Sequence, residues 1–211
     1  RRIVRLAGVE PGERVVEVGP GVGSLTVALL DAGARVTALE LDRHIVPVLA
    51  EVTAGCAIDI VVGDALTVDW SALLSDRGWS MVANLPYNVG TNLLLRALET
   101  APMIDRFLVM VQREVGERLA AGVGDSAYGA VSVKTAWYAT ARVVGRVPPA
   151  VFLPPPKVDS ALVHLERRPA PPVAVRDPDR MFTLVRAGFA TRRKTLRNAL
   201  AGLVGPEGFV A

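Results

Sequence analysis

Apolar residues in this chain fall into two kinds of run. Short β-branched stretches at 14–18, 34–39, 58–62, 79–83 and 107–111 read as strands, and 141–147 and 161–167 read as two more. Arg14-Val15-Val16-Glu17-Val18 has the near-continuous Val character of a parallel strand buried on both faces. Between the strands, apolar positions recur at helical spacing over the segment opening at Ser24 and over 42–52, 91–98, 112–121 and 128–139, and 3–9 reads as the end of a helix. Pro47 is awkward within 42–52, so that helix either starts near it or kinks there. Beyond the proline-rich stretch 169–172, two further helices are predicted over 179–190 and 194–203. The first has Met181, Phe182, Leu184, Val185 and Phe189 as its apolar positions.

Strands alternating with helices as far as residue 168 predict a doubly wound, Rossmann-like α/β sheet. The pattern divides the chain into an α/β domain over 1–168 and a small, incomplete helical domain over 173–211. Two short helices bury little by themselves, so they pack on each other or on the larger domain.

Composition narrows the class. Hydrophobic residues are 51% of 211, which excludes a disordered chain. No apolar run reaches membrane-spanning length and no signal peptide is visible, so a cytoplasmic protein is expected. A single cysteine, Cys56, fits a reducing compartment, and His44 and His164 lack ligand-like neighbours, so no metal is expected. The net charge is only +3, but Arg176, Arg180, Arg186, Arg192, Arg193, Lys194 and Arg197 crowd the C-terminal end. That asymmetry points to a polyanion partner, with a solvated helix face as the alternative.

The candidate chemistry sits where strands end. Gly19-Pro20-Gly21-Val22-Gly23 joins a strand to a helix, a turn that lets a ligand approach the backbone. Its spacing is G-x-G-x-G, not the dinucleotide pattern. Glu40 ends the next strand about 20 residues on, where a carboxylate can hold ribose hydroxyls. Asp64 follows the third strand and can accept from an adenine amino group or cap a helix. Asn84-Leu85-Pro86-Tyr87 closes the fourth strand. Asn84 offers an acceptor for an exocyclic amine, and the backbone before Pro86 is biased to extended, which can turn the Leu85 carbonyl outward as a second. Tyr87 offers a stacking face worth about 1–3 kcal/mol to a base. The set suits an adenine taken out of its stack, although a strand-to-helix turn also uses Asn, Pro and Tyr.

Several stretches together resemble the ribosomal RNA adenine N6,N6-dimethyltransferase family, and within it most resemble the bacterial KsgA type. They are Val16-Glu17-Val18-Gly19-Pro20-Gly21-Val22-Gly23, Glu40-Leu41-Asp42, Gly63-Asp64-Ala65, Asn84-Leu85-Pro86-Tyr87-Asn88, Phe152-Leu153-Pro154-Pro155-Pro156-Lys157-Val158-Asp159-Ser160 and Phe189-Ala190-Thr191-Arg192-Arg193-Lys194-Thr195-Leu196. The resemblance implies a class I methyltransferase fold, S-adenosylmethionine as cofactor, and two neighbouring adenines near the 3′ end of small-subunit rRNA as substrate. It implies that Gly19, Gly21, Glu40, Leu41, Asp64, Ala65 and Asn84 lie against the cofactor. It also implies that Asn84 and Leu85 hold the target amine while Tyr87 and Phe152 stack on its base, with Pro86 part of the same catalytic segment. Arg192, Arg193 and Lys194 are expected to contact RNA of the pre-30S particle, with the protein a monomer. Family members normally begin with a segment containing Gln-Asn/His-Phe-Leu that closes over the cofactor, and no such segment precedes Arg1 in this sequence.

Three other readings stand beside this one. A large-subunit rRNA adenine methylase of the resistance type would share the architecture and chemistry. A non-catalytic nucleic-acid-binding factor would need only the fold. An NAD-dependent oxidoreductase is disfavoured by the glycine spacing and by the lack of a hydride-transfer acid/base pair.

Overall fold

The computed structural model describes residues 1–152, 154–191 and 194–205. The described elements run α1 (Arg2–Ala7), β1 (Arg14–Val18), α2 (Ser24–Asp31), β2 (Arg35–Glu40), α3 (Val46–Val52), β3 (Ile58–Val62), α4 (Trp70–Leu73), β4 (Trp79–Asn84), α5 (Gly90–Thr100), β5 (Ile104–Gln112), α6 (Arg113–Ala120), α7 (Ala130–Tyr138), β6 (Ala139–Val147), β7 (Ser160–Arg167), α8 (Pro178–Ala190) and α9 (Leu196–Leu200). A 3-10 turn, Pro149–Val151, lies between β6 and β7.

The strands form one seven-stranded sheet in the order β3-β2-β1-β4-β5-β7-β6. The β1–β2, β2–β3, β1–β4 and β4–β5 pairs are parallel, and β7 is antiparallel to both β5 and β6. Residues of both faces are buried, as the Val-rich strands predict. Val16, Met81, Phe107 and Val163 face one apolar layer with Trp70, Leu94 and Leu119 of the helices. Val15, Val36, Val82 and Leu108 face the other, with Val4, Leu29 and Leu49.

Two features of this topology position the site. The chain leaves β1 towards β2 on one side and returns to β4 on the other, so the carboxyl ends of β1 and β4 flank the switch point where ligands bind in open α/β sheets. The reversal of β7 brings Ser160 opposite Gln112 at that same edge, so the 148–159 connection lies there too.

Element types agree with the periodicity, and the boundaries shift by a few residues. Pro47 falls in the first turn of α3, where its missing N–H is not needed, so the helix starts at Val46 and does not kink. The last helix is shorter than the predicted 194–203. It spans Leu196–Leu200: Thr195 caps its start by accepting the Asn198 N–H at 3.4 Å, and past Leu200 the chain turns, with the Leu203 N–H donating to the Leu200 carbonyl at 2.8 Å. The short α4 has no counterpart in the pattern reading. Asp69 starts it by accepting the Ser71 and Ala72 N–H groups.

Candidate active site

The glycine turn after β1 needs its glycines for backbone reasons. Gly19, Gly21 and Gly23 have φ of 69°, 56° and 89°, a region open to glycine and costly for other residues. At Gly19 and Gly21 an added Cβ would meet nothing within 4 Å, so the requirement there is conformation rather than space. Glu40 braces the turn from the end of β2. Its Oε2 accepts the Gly21 N–H at 3.0 Å and its Oε1 accepts the Asp42 N–H at 2.9 Å. Glu40 is only 7% exposed, while the neighbouring Leu41 is 67% exposed and Val22 is 58% exposed. The exposed Leu41 follows the buried Glu40 in sequence, and the exposed Val22 follows Gly21, whose N–H Glu40 accepts. Asp64, half-buried after β3, uses Oδ1 to accept the Leu66 N–H at 2.8 Å, an Asx turn at the same edge of the sheet, and Ala65 beside it is buried.

Glu17, in β1 just before the glycine turn, is a buried acid that the periodicity does not single out. It is 1% exposed, and its Oε2 has no hydrogen-bond partner among the described residues. Burial pushes its carboxyl up to about 7; the Thr26 hydroxyl opposes the shift and the Glu40 charge adds to it. An unsatisfied buried carboxyl is costly and rare, and such groups cluster where ligands bind. The signal in the sequence is an acid inside a strand buried on both faces, where no polar position is expected.

Across the switch point, β4 is buried along its length until Asn84, its exposed last residue. Leu85 is again buried and its N–H donates to the Met110 carbonyl at 3.1 Å, extending the pairing with β5 past the strand end. The Pro86 carbonyl accepts the Val89 and Gly90 N–H groups and so starts α5. Gly90 is required by packing, since a Cβ there would lie 2.9 Å from the Leu85 Cβ. Tyr87 is held by its hydroxyl, which is hydrogen-bonded to the Ser160 hydroxyl at 2.5 Å. Asn84, Leu85, Pro86, Tyr87, Phe152 and Pro154, with Pro156, line a cavity of 240 Å³. The structure therefore brings together the Asn84 stretch and Phe152, which are 68 positions apart in sequence (152 − 84).

The basic C-terminal end is only partly described, and Arg192 and Arg193 lie outside the described residues. Helix α8 packs on α7 through Phe182, which meets the Trp137 ring edge-on and stacks on Tyr138, and Phe189 of α8 meets Tyr128, just before α7. Lys194 lines a cavity of 580 Å³ with Arg118, Tyr128, Phe189 and Thr191, beside the start of α7.

A mostly parallel α/β sheet with a glycine turn, an acid ending β2 and a pocket ending β4 defines the Rossmann-like methyltransferase class. Solved structures agree. A dimethyladenosine transferase from Plasmodium falciparum superposes with a TM-score of 0.78 at 28% identity, over 94% of this chain and 71% of that one. The 23S rRNA methyltransferase ErmE superposes with a TM-score of 0.76 at 28% identity, over 98% and 82%. The sequence goes further: residues 1–210 match the profile of the ribosomal RNA adenine dimethylase family, and the chain belongs to that family. A relative from Leifsonia xyli subsp. xyli, called ribosomal RNA small subunit methyltransferase A, is 50% identical over 97% of this chain and 74% of its own length.

Proposed function

We propose that this protein transfers methyl groups from S-adenosylmethionine to the N6 amines of two adjacent adenines near the 3′ end of small-subunit (16S) rRNA, as a step of ribosome biogenesis in the cytoplasm. The observation that carries the reading is the exposed Asn84 at the end of β4, opening into a pocket walled by Tyr87 and Phe152 beside the β1 glycine turn. The half-identical relative named for the small subunit supports the choice of substrate.

The residues at the switch point fit the cofactor. It carries positive charge, and the buried Glu40 lies next to the turn together with Glu17, a buried acid with an unpartnered oxygen among the described residues. Its adenine is a flat apolar ring, and Leu41 and Val22, next in sequence to Glu40 and to the Gly21 it braces, offer bare apolar surface. In this reading Gly19 and Gly21 approach it, Glu40 holds its ribose, Asp64 with Ala65 receives its adenine, and Asn84 borders its reactive end. The bound cofactor supplies an electrophilic methyl group.

The chain's own residues prepare the nucleophile. An adenine amine is a poor one, because its lone pair is delocalised into the ring. Acceptors at the Asn84 side chain and the Leu85 carbonyl hold its two N–H bonds and favour a tetrahedral nitrogen. Pro86 fixes the backbone between them and the stacking rings. Tyr87 and Phe152 clamp the base, and positioning of this kind supplies much of the rate. The nitrogen becomes acidic once it carries the extra methyl, so no strong general base is required. Residues 173–211 act as a helical RNA-contacting unit whose Arg192, Arg193 and Lys194 reach phosphates of the pre-30S particle, and the protein works as a monomer.

Methylation of isolated, unmethylated small and large subunits tests the reading. Label in two adjacent small-subunit adenines supports it. Label confined to a large-subunit adenine would instead favour the chemistry of the 23S methyltransferase that shares the fold.

A further inference from the structure

The target pocket has a neighbour. A second cavity, of 340 Å³, opens at the same edge of the sheet and is lined by Gln112, Arg113, Glu114, Pro149, Lys157 and Asp159, with Val158. Its size falls within the range of small-molecule sites, about 300–1,000 Å³. The two cavities share a wall. The 148–159 connection gives Phe152, Pro154 and Pro156 to the first, and Pro149, Lys157 and Asp159 to the second. Neighbouring strands also bring them side by side, since Asn84 of the first pairs with Met110, two residues before Gln112 of the second. The Arg113 N–H donates to the Asp159 carbonyl at 2.9 Å, tying the connection to the start of α6.

We propose that this cavity is a subsite for the base of the nucleotide flanking the target adenine, an inference that rests on the rRNA reading above. RNA is a continuous strand, so a base seated between Tyr87 and Phe152 brings its neighbour within one nucleotide's reach. The chemistry of the lining selects which part of that neighbour enters. Arg113 and Lys157 bring two cations, and Glu114 and Asp159 bring two carboxylates; within α6, Arg113 is paired with Glu117 at 3.7 Å and Glu114 with Arg118. A phosphate would meet both carboxylates, and an apolar group would desolvate all four charges. A base edge presents donors and acceptors side by side and suits such a mixed wall. Gln112 supplies the discriminating contact. It is the N-cap residue of α6, yet its side chain makes no capping hydrogen bond. Its carboxamide is therefore not committed to the helix, and a Gln carboxamide can read adenine N6 and N7 as a bidentate pair. Lys157 meets the same base from the connection.

The test uses small-subunit particles assembled with native rRNA, or with rRNA in which the base beside one scored adenine is changed to uridine. Initial methylation of the scored adenine is measured for the wild type, Gln112→Ala and Lys157→Ala, with S-adenosylmethionine affinity and melting temperature alongside. The wild type is expected to slow about tenfold on the changed particle, as one bidentate contact would give. Gln112→Ala is expected to slow by a similar factor on the native particle and no further on the changed one, with cofactor affinity unaltered. Lys157→Ala is expected to slow the native particle severalfold and to narrow the difference between the two particles, with an unchanged melting temperature. Equal penalties from the uridine change in all three proteins would overturn the subsite. Absence of wild-type methylation on the native particle would sink the rRNA reading itself, a separate outcome.

Discussion

The Tyr87 hydroxyl is hydrogen-bonded at 2.5 Å to the hydroxyl of Ser160, a residue with no solvent exposure at the start of β7. The bond joins the pocket's stacking ring to the strand whose reversal brings the 148–159 connection to the site. In the proposed reading Ser160 is a positioning residue that fixes the plane of the Tyr87 ring. Ser160→Ala is expected to lower kcat severalfold with cofactor affinity unchanged, and Ser160→Thr to recover part of it. Because the effect passes through Tyr87, the Ser160→Ala/Tyr87→Phe double variant should be no slower than Tyr87→Phe alone. Multiplying losses in that cycle would show that Ser160 acts by another route.

Glu17 makes stability depend on pH. Its carboxyl is raised from 4.5 to about 7 in the folded protein. A raised carboxyl favours the folded state fully below the unfolded value and loses that contribution as pH rises through the folded value. The affected window therefore runs from about 4.5 to 7 and somewhat above, and at about 1.4 kcal/mol per pH unit the loss is on the order of 3 kcal/mol. Glu17→Gln should melt progressively higher than the wild type as pH goes from about 5 to about 8. A constant difference across that range would mean Glu17 ionises at an ordinary pH.

Glu40 has two duties, bracing Gly21 and, in the proposed reading, holding ribose. Glu40→Ala is expected to weaken S-adenosylmethionine binding by about 1.5–3 kcal/mol, with the sheet intact by circular dichroism. Calorimetry reads this directly, and unchanged affinity would remove the ribose role.

The C-terminal cations are tested by salt. Replacing Arg192, Arg193 and Lys194 together by Ala should weaken particle binding and flatten its salt dependence by about 0.7–0.9 log units for each phosphate left without its cation. Such cations also cover apolar surface with their stems. Melting temperatures measured alongside therefore matter, because an equal salt slope or a matching loss of thermal stability would assign the residues to folding.

Much of this site is legible along the chain because each signal is local. The glycine turn, Glu40, Asp64 and Asn84 all lie at strand ends, and a strand followed by a helix announces its own end. What is not legible depends on topology. Nothing near Ser160 reveals that β7 runs antiparallel, so neither its bond to Tyr87, 73 residues away, nor the second cavity can be read from spacing. Family resemblance assigns the Phe152 segment to the pocket, and the sheet order supplies the physical reason. Glu17 escapes notice because a strand pattern records apolar positions and treats one acid among valines as noise. The last helix reads too long because its cap, Thr195, and the turn after Leu200 both lie inside an otherwise helical stretch.

The most direct measurement is the rate of labelled methyl transfer from S-adenosylmethionine to unmethylated small subunits by the wild type and by Asn84→Ala, with the modified bases identified. The wild type should label two adjacent adenines. Asn84→Ala should be slower by about a hundredfold or more, the scale on which loss of one preorganised hydrogen-bonding group slows catalysis, with cofactor affinity little changed. A near-normal rate from Asn84→Ala would contradict the account of how this pocket activates the amine.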